Sequence, residues 1–315
     1  MNFEALLSTA FSLFLFILIG FILQKAGIIN GEFTKKLSGF VAKAAQPFLI
    51  IYSVIKLEYS PSHLKNGMIV FGFSVILHLF LIVAAKLFFF RVGDMDEKKI
   101  HEFGCVFTNC AFVGFPILNA LFGEAGLFYG AFYVIVYNLA VWSYGVCIMA
   151  RGRDDIKISV RKMLINLGTV PSAIGLGIYI ARIPIPDFLM TVLESMSSLC
   201  TPLSLIVTGA LVASMPIRKF FTNPKIYYFC AVKLIFIPLI AAFILRFCGI
   251  SSLVADIDLS VFMVVLASMP PAAFTTIFAE LYETKPTYAA QLLSIGTILS
   301  PFTILLVMKL TEFIL

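Results

Sequence analysis

Few side chains in this sequence could carry out catalysis or hold a metal, and those few are scattered along the chain. The three histidines, His63, His78 and His101, lie on different segments, and there is no His-x-x-x-His pair, Gly-rich phosphate loop or nucleophile elbow. The six cysteines lie in apolar stretches without a Cys-x-x-Cys pair, which is typical of small buried hydrophobic residues. Enzymes need acids, bases or metal ligands in one cluster. The sequence therefore argues against an enzyme and predicts neither a cofactor nor a metal site.

Two apolar segments instead carry the helix breakers and polar groups of an anion-binding site. Gly114 and Pro116 interrupt one segment, and Pro270 and Pro271 interrupt another, because proline removes a backbone N–H and glycine permits a turn. Each break is predicted to leave a half-helix whose N-terminus offers free N–H groups and a positive dipole end to a carboxylate. The predicted substrate-binding residues lie at and beside the two breaks: Asn109, Gly114, Pro116, Asn119, Ser268, Pro270, Pro271 and Thr275.

Two ionisable residues, His78 and Lys233, lie deep inside apolar segments, where such residues usually face a bundle interior or a cavity. We interpret Lys233 as electrostatic support for the broken helices ahead of direct substrate contact. His78 could report a proton gradient, although a hydrogen-bonded core histidine is the commoner case. Pro47 and Pro202 are assigned with this pair to support of the broken helices or to proton coupling. No Asp or Glu lies well inside an apolar segment, which favours proton-coupled or facilitated anion movement over sodium symport.

Membrane-spanning helices must position these residues. Of the 315 residues, 61% are hydrophobic and 13% are charged, a balance that no water-soluble domain of this size can cover with polar surface. About 20 apolar residues cross a bilayer as a helix, because the backbone must satisfy its own hydrogen bonds in lipid. The sequence predicts ten spans, at 5–24, 33–55, 66–90, 101–122, 125–149, 163–181, 188–213, 224–247, 257–280 and 287–312.

The net charge of +6 is explained by the positions of the basic residues between these spans. If the N-terminus lies outside, 15 of the 23 lysines and arginines fall in inner loops and 5 on the outer side. Basic residues gather in cytoplasmic loops of membrane proteins, so this asymmetry predicts a multi-pass protein of the plasma or inner membrane with both termini outside. The charge is therefore not interpreted as a nucleic-acid footprint.

The hydrophilic loop 151–162 divides the chain into two halves, 1–150 and 163–315, with five predicted spans each. Pro47 and Pro202 occur in similar sequences at an offset of 155, and the same offset relates Pro116 to Pro271 and His78 to Lys233. Because each half has an odd number of spans, duplicated halves must be inverted relative to each other. Transporters built in this way place their substrate site where broken helices of the two repeats meet near the membrane midplane.

The motifs around the first break resemble those of the auxin efflux carrier family, which includes plant PIN carriers and bacterial malate and malonate permeases. The resemblance spans the whole chain and is carried by Asn109 to Pro116, Phe122-Gly123, Asn138, Trp142-Ser143, Pro47, Thr201 to Ser204, Gly209, Met269-Pro270 and Ile277 to Ala279.

This resemblance implies an all-α fold similar to that of bile-acid and sodium/proton antiporter relatives, with a scaffold domain, a transport domain and two crossed broken helices. It also implies elevator-type movement and a homodimer. Asn109 takes the place of an asparagine that contacts the substrate carboxylate in plant members. Lys233 matches a lysine of the plant carriers, whereas His78 stands where they have an acid.

The expected function is secondary transport of a small organic anion, such as malate, malonate or an auxin-like acid. The partners expected besides this substrate are the lipid bilayer and a second copy of the chain, and the coupling ion is left open. The alternative of another class is a membrane sensor derived from a transporter, which binds a carboxylate without moving it.

Overall fold

The computed structural model of the protein describes residues 3–152, 161, 164–214 and 223–315. Within these ranges the secondary structure is helical apart from one isolated β-bridge. Seven helical stretches are long and apolar enough to cross a membrane: Phe3–Lys25, Gly31–Ile55, Pro61–Phe88, Cys110–Met149, Asp187–Ser214, Pro224–Cys248 and Pro286–Ile314. The expected all-α membrane protein is thus confirmed as a class, whereas ten spans and inverted repeats stay predictions.

We number the described helices in chain order. They are α1 (Phe3–Lys25), α2 (Gly31–Phe40), α3 (Gln46–Ile55), α4 (Pro61–Phe88), α5 (Met95–Val106), α6 (Phe115–Ala140), α7 (Val146–Met149), α8 (Thr169–Ala181), α9 (Asp187–Ser198), α10 (Cys200–Ser214), α11 (Pro224–Ala231), α12 (Ile237–Cys248), α13 (Leu259–Ser268), α14 (Phe274–Leu281) and α15 (Pro286–Ile314). Short π-helical turns at Val41–Ala45, Cys110–Gly114, Val141–Gly145 and Val232–Phe236 connect several of these helices or precede them.

Gly123 divides the longest helical stretch, Cys110–Met149, into two parts. Its φ of 60° and ψ of −145° lie outside the helical region, in backbone space that favours glycine. The boundary between two of the predicted spans, 101–122 and 125–149, lies at this position.

Polar contacts between loops define one face of the molecule, which we call the basic face. Lys285, just before α15, pairs with Asp94 at the start of α5 and with Glu97 at 3.0 Å. Lys225 at the start of α11 pairs with the same Glu97 at 2.6 Å. Arg151, after α7, pairs with the buried Glu102 of α5 at 2.7 Å.

A second group of contacts defines the other end of the helices, which we call the opposite face. The Tyr179 hydroxyl at the end of α8 donates to the carbonyl oxygen of Glu58 at 3.1 Å. Lys56 pairs with Glu124 at 3.3 Å, and Tyr129 of α6 donates to Asp256, which precedes α13. The described contacts therefore sort the loops into the two sets that an alternating path through a membrane requires.

Glycines bring α1 and α10 into close backbone contact. A Cβ atom at Gly209 would overlap the carbonyl oxygen of Ile17, and one at Gly20 would overlap that of Ile206. Small residues at a membrane helix interface allow backbones to approach in this way.

The break in the fourth predicted span lies at Phe107–Asn109, so the sequence placed it wrongly at Gly114 and Pro116. The helix α5 ends at Val106, and Phe107 has extended backbone angles. Pro116 lies in the first turn of α6, where the missing N–H is tolerated and a π-helical turn precedes it. The break in the ninth predicted span does lie at its prolines, between the end of α13 at Ser268 and the start of α14 at Phe274.

Candidate functional site

The two breaks cross and hydrogen-bond directly to each other. Thr108 and Pro271 form an antiparallel β-bridge. The N–H of Asn109 donates to the carbonyl oxygen of Pro270 at 2.7 Å, and the N–H of Ala272 donates to that of Phe107 at 2.9 Å. Non-helical backbone at membrane depth is tolerated only where its polar groups are satisfied within the protein or line a cavity. These two bonds meet that requirement, and they use N–H groups that the sequence analysis had expected to be free.

Asn109 is the predicted site residue that the crossing places best for binding. Its Oδ1 accepts the N–H of Phe112 at 3.2 Å, so it caps the turn that follows the break. Because a backbone N–H can only donate, this bond fixes the amide oxygen on that side. Among the described residues the Asn109 amide nitrogen has no partner, and Asn109 lines a cavity. The residue therefore presents an NH₂ donor at the crossing.

The cavity beside the crossing has a volume of about 420 Å³, within the range of small-molecule sites. Aromatic residues from four helical elements contribute to its wall: Phe112, Tyr137, Trp142 and Phe274. Its polar lining residues are uncharged: Ser38, Gln46, Thr108, Asn109, Asn138, Asn166, Ser204, Thr208 and Thr276. No Asp, Glu, Lys, Arg or His belongs to the described lining.

The N-terminus of α14 faces the same cavity. Pro270 and Pro271 have no N–H, and that of Ala272 is used at the crossing. Within the described chain the N–H groups of Ala273 and Phe274, which both line the cavity, have no acceptor. These groups and the positive end of the helix dipole favour an anion without a formal cation.

Lys233 does not line the cavity and instead caps a half-helix. Its fully buried ammonium donates to the carbonyl oxygen of Ala267 at 2.8 Å, in the last turn of α13. The last carbonyl groups of a helix have no partner within it and carry the negative end of its dipole. Electrostatic support of the broken helix stays a prediction for Lys233.

His78 is also buried, and its Nδ1 contacts the carbonyl oxygen of Ser74 in its own helix at 2.7 Å. Its ring packs on Tyr133, with 5.1 Å between the centroids, and the Tyr133 hydroxyl lies 3.1 Å from the Thr108 hydroxyl at the crossing. The His78 ring also lies 6.4 Å from that of Tyr137, which packs on Phe107 of the break. His78 therefore reaches the break through aromatic rings, whereas Lys233 contacts a backbone carbonyl group directly.

The remaining predicted residues are dispersed around the crossing. Asn119 is exposed and lies outside the cavity lining. Ser268 is buried and donates to the carbonyl oxygen of Val265. The buried Thr275 hydroxyl has no partner in the part of the chain that the structure describes, and its neighbour Thr276 lines the cavity. Gly114 ends the π-helical turn that follows Asn109, and Pro116 lies in the first turn of α6.

Pro47 and Pro202 lie near the cavity without lining it, whereas Gln46 and Ser204 beside them do. Sequence reasoning missed these two residues and the wall residues of α2, of the segment before α8 and of α10 as site residues. A signal for them existed in the similar sequences around the two prolines. The aromatic wall residue Trp142 stood among the family motifs but was not assigned to the site.

Apolar helices, two crossed breaks and an uncharged cavity between them define a membrane transport protein. The family model described as "Membrane transport protein" matches residues 5–308, and the chain belongs to this family, the auxin efflux carrier family. The chain is also similar to an "Uncharacterized transporter" of Methanothermobacter thermautotrophicus, with 25% identity over 302 residues that cover 93% of this chain and 94% of the relative.

Proposed function

We propose that the protein is a secondary transporter of a small organic anion, whose carboxylate binds between Asn109 and the N-terminus of α14. The observation that carries this proposal is the convergence of unpaired donors on one uncharged cavity: the Asn109 amide nitrogen and the N–H groups of Ala273 and Phe274. Hydrogen bonds to a charged group are stronger than neutral ones, so a carboxylate is the best match for these donors.

The cavity favours a monocarboxylate with an apolar or aromatic body over a dicarboxylate. A second carboxylate would have to leave water in a site whose described lining offers no cation, and burying an unpaired charge costs several kcal/mol. Phe112, Trp142 and Phe274 provide apolar area for the rest of the substrate. Malate and malonate are therefore expected to bind more weakly than an aryl acid of similar size.

An elevator-type alternating-access mechanism is supported by the location of the cavity. Its lining comes from segments next to the basic face, including Ser38 of α2 and Ile165 to Gly168 before α8. At the opposite face Tyr179 of α8 packs on Phe128 of α6, with 4.9 Å between their ring centroids. In the proposed mechanism this structure corresponds to the state in which the site communicates with the basic side.

The proposal includes ten spans in two inverted repeats, with the basic face in the cytosol and both termini outside. Packing supports the repeat, because the first predicted span packs on the seventh (α1 on α10) and the second packs on the sixth (α3 on α8). Contacts between the first span of each half and the second span of the other half are expected when two five-helix halves are related by a two-fold axis in the membrane plane.

A proteoliposome experiment tests the proposal. A panel of carboxylates is first screened by quenching of Trp142, the only tryptophan in the sequence and a cavity residue. Counterflow of the best ligand is then measured for the wild type and Asn109→Ala, with the exposed Asn119→Ala as the matched control. We expect Asn109→Ala to weaken binding at least about tenfold, as loss of one hydrogen bond to a charged group implies.

Equal ligand binding and flux in Asn109→Ala and the wild type would refute the site. Binding without flux in the wild type would favour the sensor alternative, which shares the same cavity.

A further inference from the structure

The opposite face carries a cluster of titratable side chains that the proposed substrate site does not use. It comprises His63 at the start of α4, Asp256 before α13, Tyr129 on α6 and Tyr179 at the end of α8. Asp256 Oδ2 accepts from the Tyr129 hydroxyl and from Asn66 Nδ2 at 3.4 Å, and it lies 3.8 Å from His63 Nε2. Donors converging on one oxygen fit an ionised carboxylate, which can only accept.

The other ring nitrogen of His63 also faces an acceptor. Its Nδ1 lies 3.1 Å from the carbonyl oxygen of Glu58 and 3.3 Å from the Tyr179 hydroxyl. The imidazolium form offers an N–H donor on each side, one to the Glu58 carbonyl oxygen and one towards the Asp256 carboxylate. The neutral ring has one N–H and no charge, so it cannot form an ion pair with Asp256 across 3.8 Å.

This cluster joins several helices at the opposite face. Tyr179 donates to Glu58, accepts the N–H of Ser60 at 3.1 Å and packs its ring on Phe128 of α6. His63 connects this anchor on α8 to Asp256 and through it to Tyr129 of α6. Opening of the opposite face would have to separate these contacts.

We propose that His63, Asp256 and Tyr179 form a proton-binding latch, which holds the opposite face closed when His63 is protonated and weakens when His63 loses its proton. The inference rests on the proposed alternating access. The side chains of His63 and Asp256 are 20% and 34% exposed, so the latch exchanges protons with the solution at the opposite face. It therefore makes opening depend on the pH of that compartment.

The neighbouring charged and titratable groups do not replace His63 in this role. They are Lys65 of α4, Tyr129 of α6, Glu58 and Tyr59 of the connection before α4, Arg182 stacked on Tyr59, and the pair Lys56 and Glu124. Among these side-chain types and histidine, only histidine ordinarily changes charge in the neutral range.

Spin-label distances across the opposite face test the latch without any substrate. Labels are attached at Ile183→Cys, after α8, and Leu253→Cys, before α13, both exposed positions, in a background with the exposed Cys147 and Cys248 replaced by alanine. We expect a single short distance at about pH 5.5 and an additional longer population at about pH 8, on either side of the range in which histidine titrates.

In His63→Gln the pH dependence should be lost, whereas His78→Gln should keep it. Asp256→Asn should reduce the closed population at the lower pH. A wild-type distance that does not change with pH, a change that persists in His63→Gln, or wild-type behaviour of Asp256→Asn would each overturn the latch. If the pH response is present and no carboxylate flux is measured in liposomes, the proposed transport fails and the latch stands.

Discussion

At the scale of single residues, the crossing depends on polar groups that must find partners far from water. Lys233 and Asn109 solve this problem in different ways. The buried Lys233 ammonium donates to the carbonyl oxygen of Ala267 at the end of α13, and Lys233 lies outside the cavity lining. The Asn109 amide oxygen accepts the N–H of Phe112 in the turn after the break, and its NH₂ group is left as a donor at the cavity. In the proposed site, anion binding is therefore left to uncharged donors.

Lys233→Met tests the capping role. Loss of the ammonium leaves the Ala267 carbonyl group without its donor, and a buried unsatisfied group costs about 1–3 kcal/mol. We expect a lower thermal unfolding midpoint in nanodiscs, while Lys86→Met, at an exposed position of α4, should behave as the wild type. Equal midpoints for the two variants would contradict the capping role.

The Asp94–Lys285 pair on the basic face gives a pH prediction. The Lys285 ammonium lowers the pKa of Asp94, assisted by the N–H groups of Glu97 and Asp96, and the same contact raises the pKa of Lys285. A carboxyl whose pKa is lowered by folding contributes stability above its ordinary value of about 4, and this contribution is lost as pH falls through the folded-state pKa.

In Lys285→Met the folded-state pKa of Asp94 should move back towards its ordinary value, so the protein should be less stable at neutral pH and should lose less of its stability on acidification than the wild type. Thermal unfolding between about pH 2.5 and 6 measures this shift around the ordinary carboxyl range. Lys36→Met, which removes an exposed pair within α2, serves as the control. A Lys285→Met profile that matches the wild type would exclude the pair as a source of stability.

At the scale of helices, the sequence predicts which segments cross the membrane better than it predicts where they break. Hydropathy identified the apolar segments because burial in lipid constrains about 20 residues at once. The position of a break depends on a few hydrogen bonds between distant segments, such as that from Asn109 to Pro270, and these bonds leave no local pattern.

Prolines mark local distortions in this fold more reliably than they mark breaks. Pro47, Pro116 and Pro238 each lie in the first turn of a helix that directly follows a π-helical turn. A proline removes one i to i−4 hydrogen bond, and a π-helical turn is one way to rearrange the carbonyl groups left behind. The offset that related Pro116 to Pro271 therefore joined a proline inside a helix to one inside a break.

The contact between α1 and α10 gives a prediction at this scale. In Gly209→Val the added side chain would overlap the carbonyl oxygen of Ile17, which backbone movement must relieve. We expect a destabilisation of about 3 kcal/mol or more, since overpacking against backbone has little room to relax. Gly72→Val, where the structure leaves open space around the added Cβ, should be nearly neutral. Comparable monodispersity and unfolding midpoints for both variants would show that the two helices can separate.

At the scale of the whole molecule, the proposed transport assigns different states to the two faces. The cavity lining includes Ser38 of α2 and Ile165 to Gly168 before α8, next to the basic face, whereas the ring contact of Tyr179 with Phe128 and the pair of His63 with Asp256 lie at the opposite face. In a transporter the open and the closed face must alternate, so that the binding site is accessible first from one side of the membrane and then from the other. A sensor that binds a carboxylate without transporting it needs access to the site from one side only.

Labelling of a cavity cysteine from each side of the membrane tests this central claim most directly. Thr276→Cys lines the cavity, and Cys110, Cys147 and Cys248 are replaced by alanine to remove the cavity and exposed thiols. In oriented vesicles, a membrane-impermeant maleimide should label Thr276→Cys from the basic side and, more slowly, from the opposite side, and a bound carboxylate should protect it from both. Labelling that occurs only from the basic side under every condition, including saturating substrate, would contradict alternating access at this site.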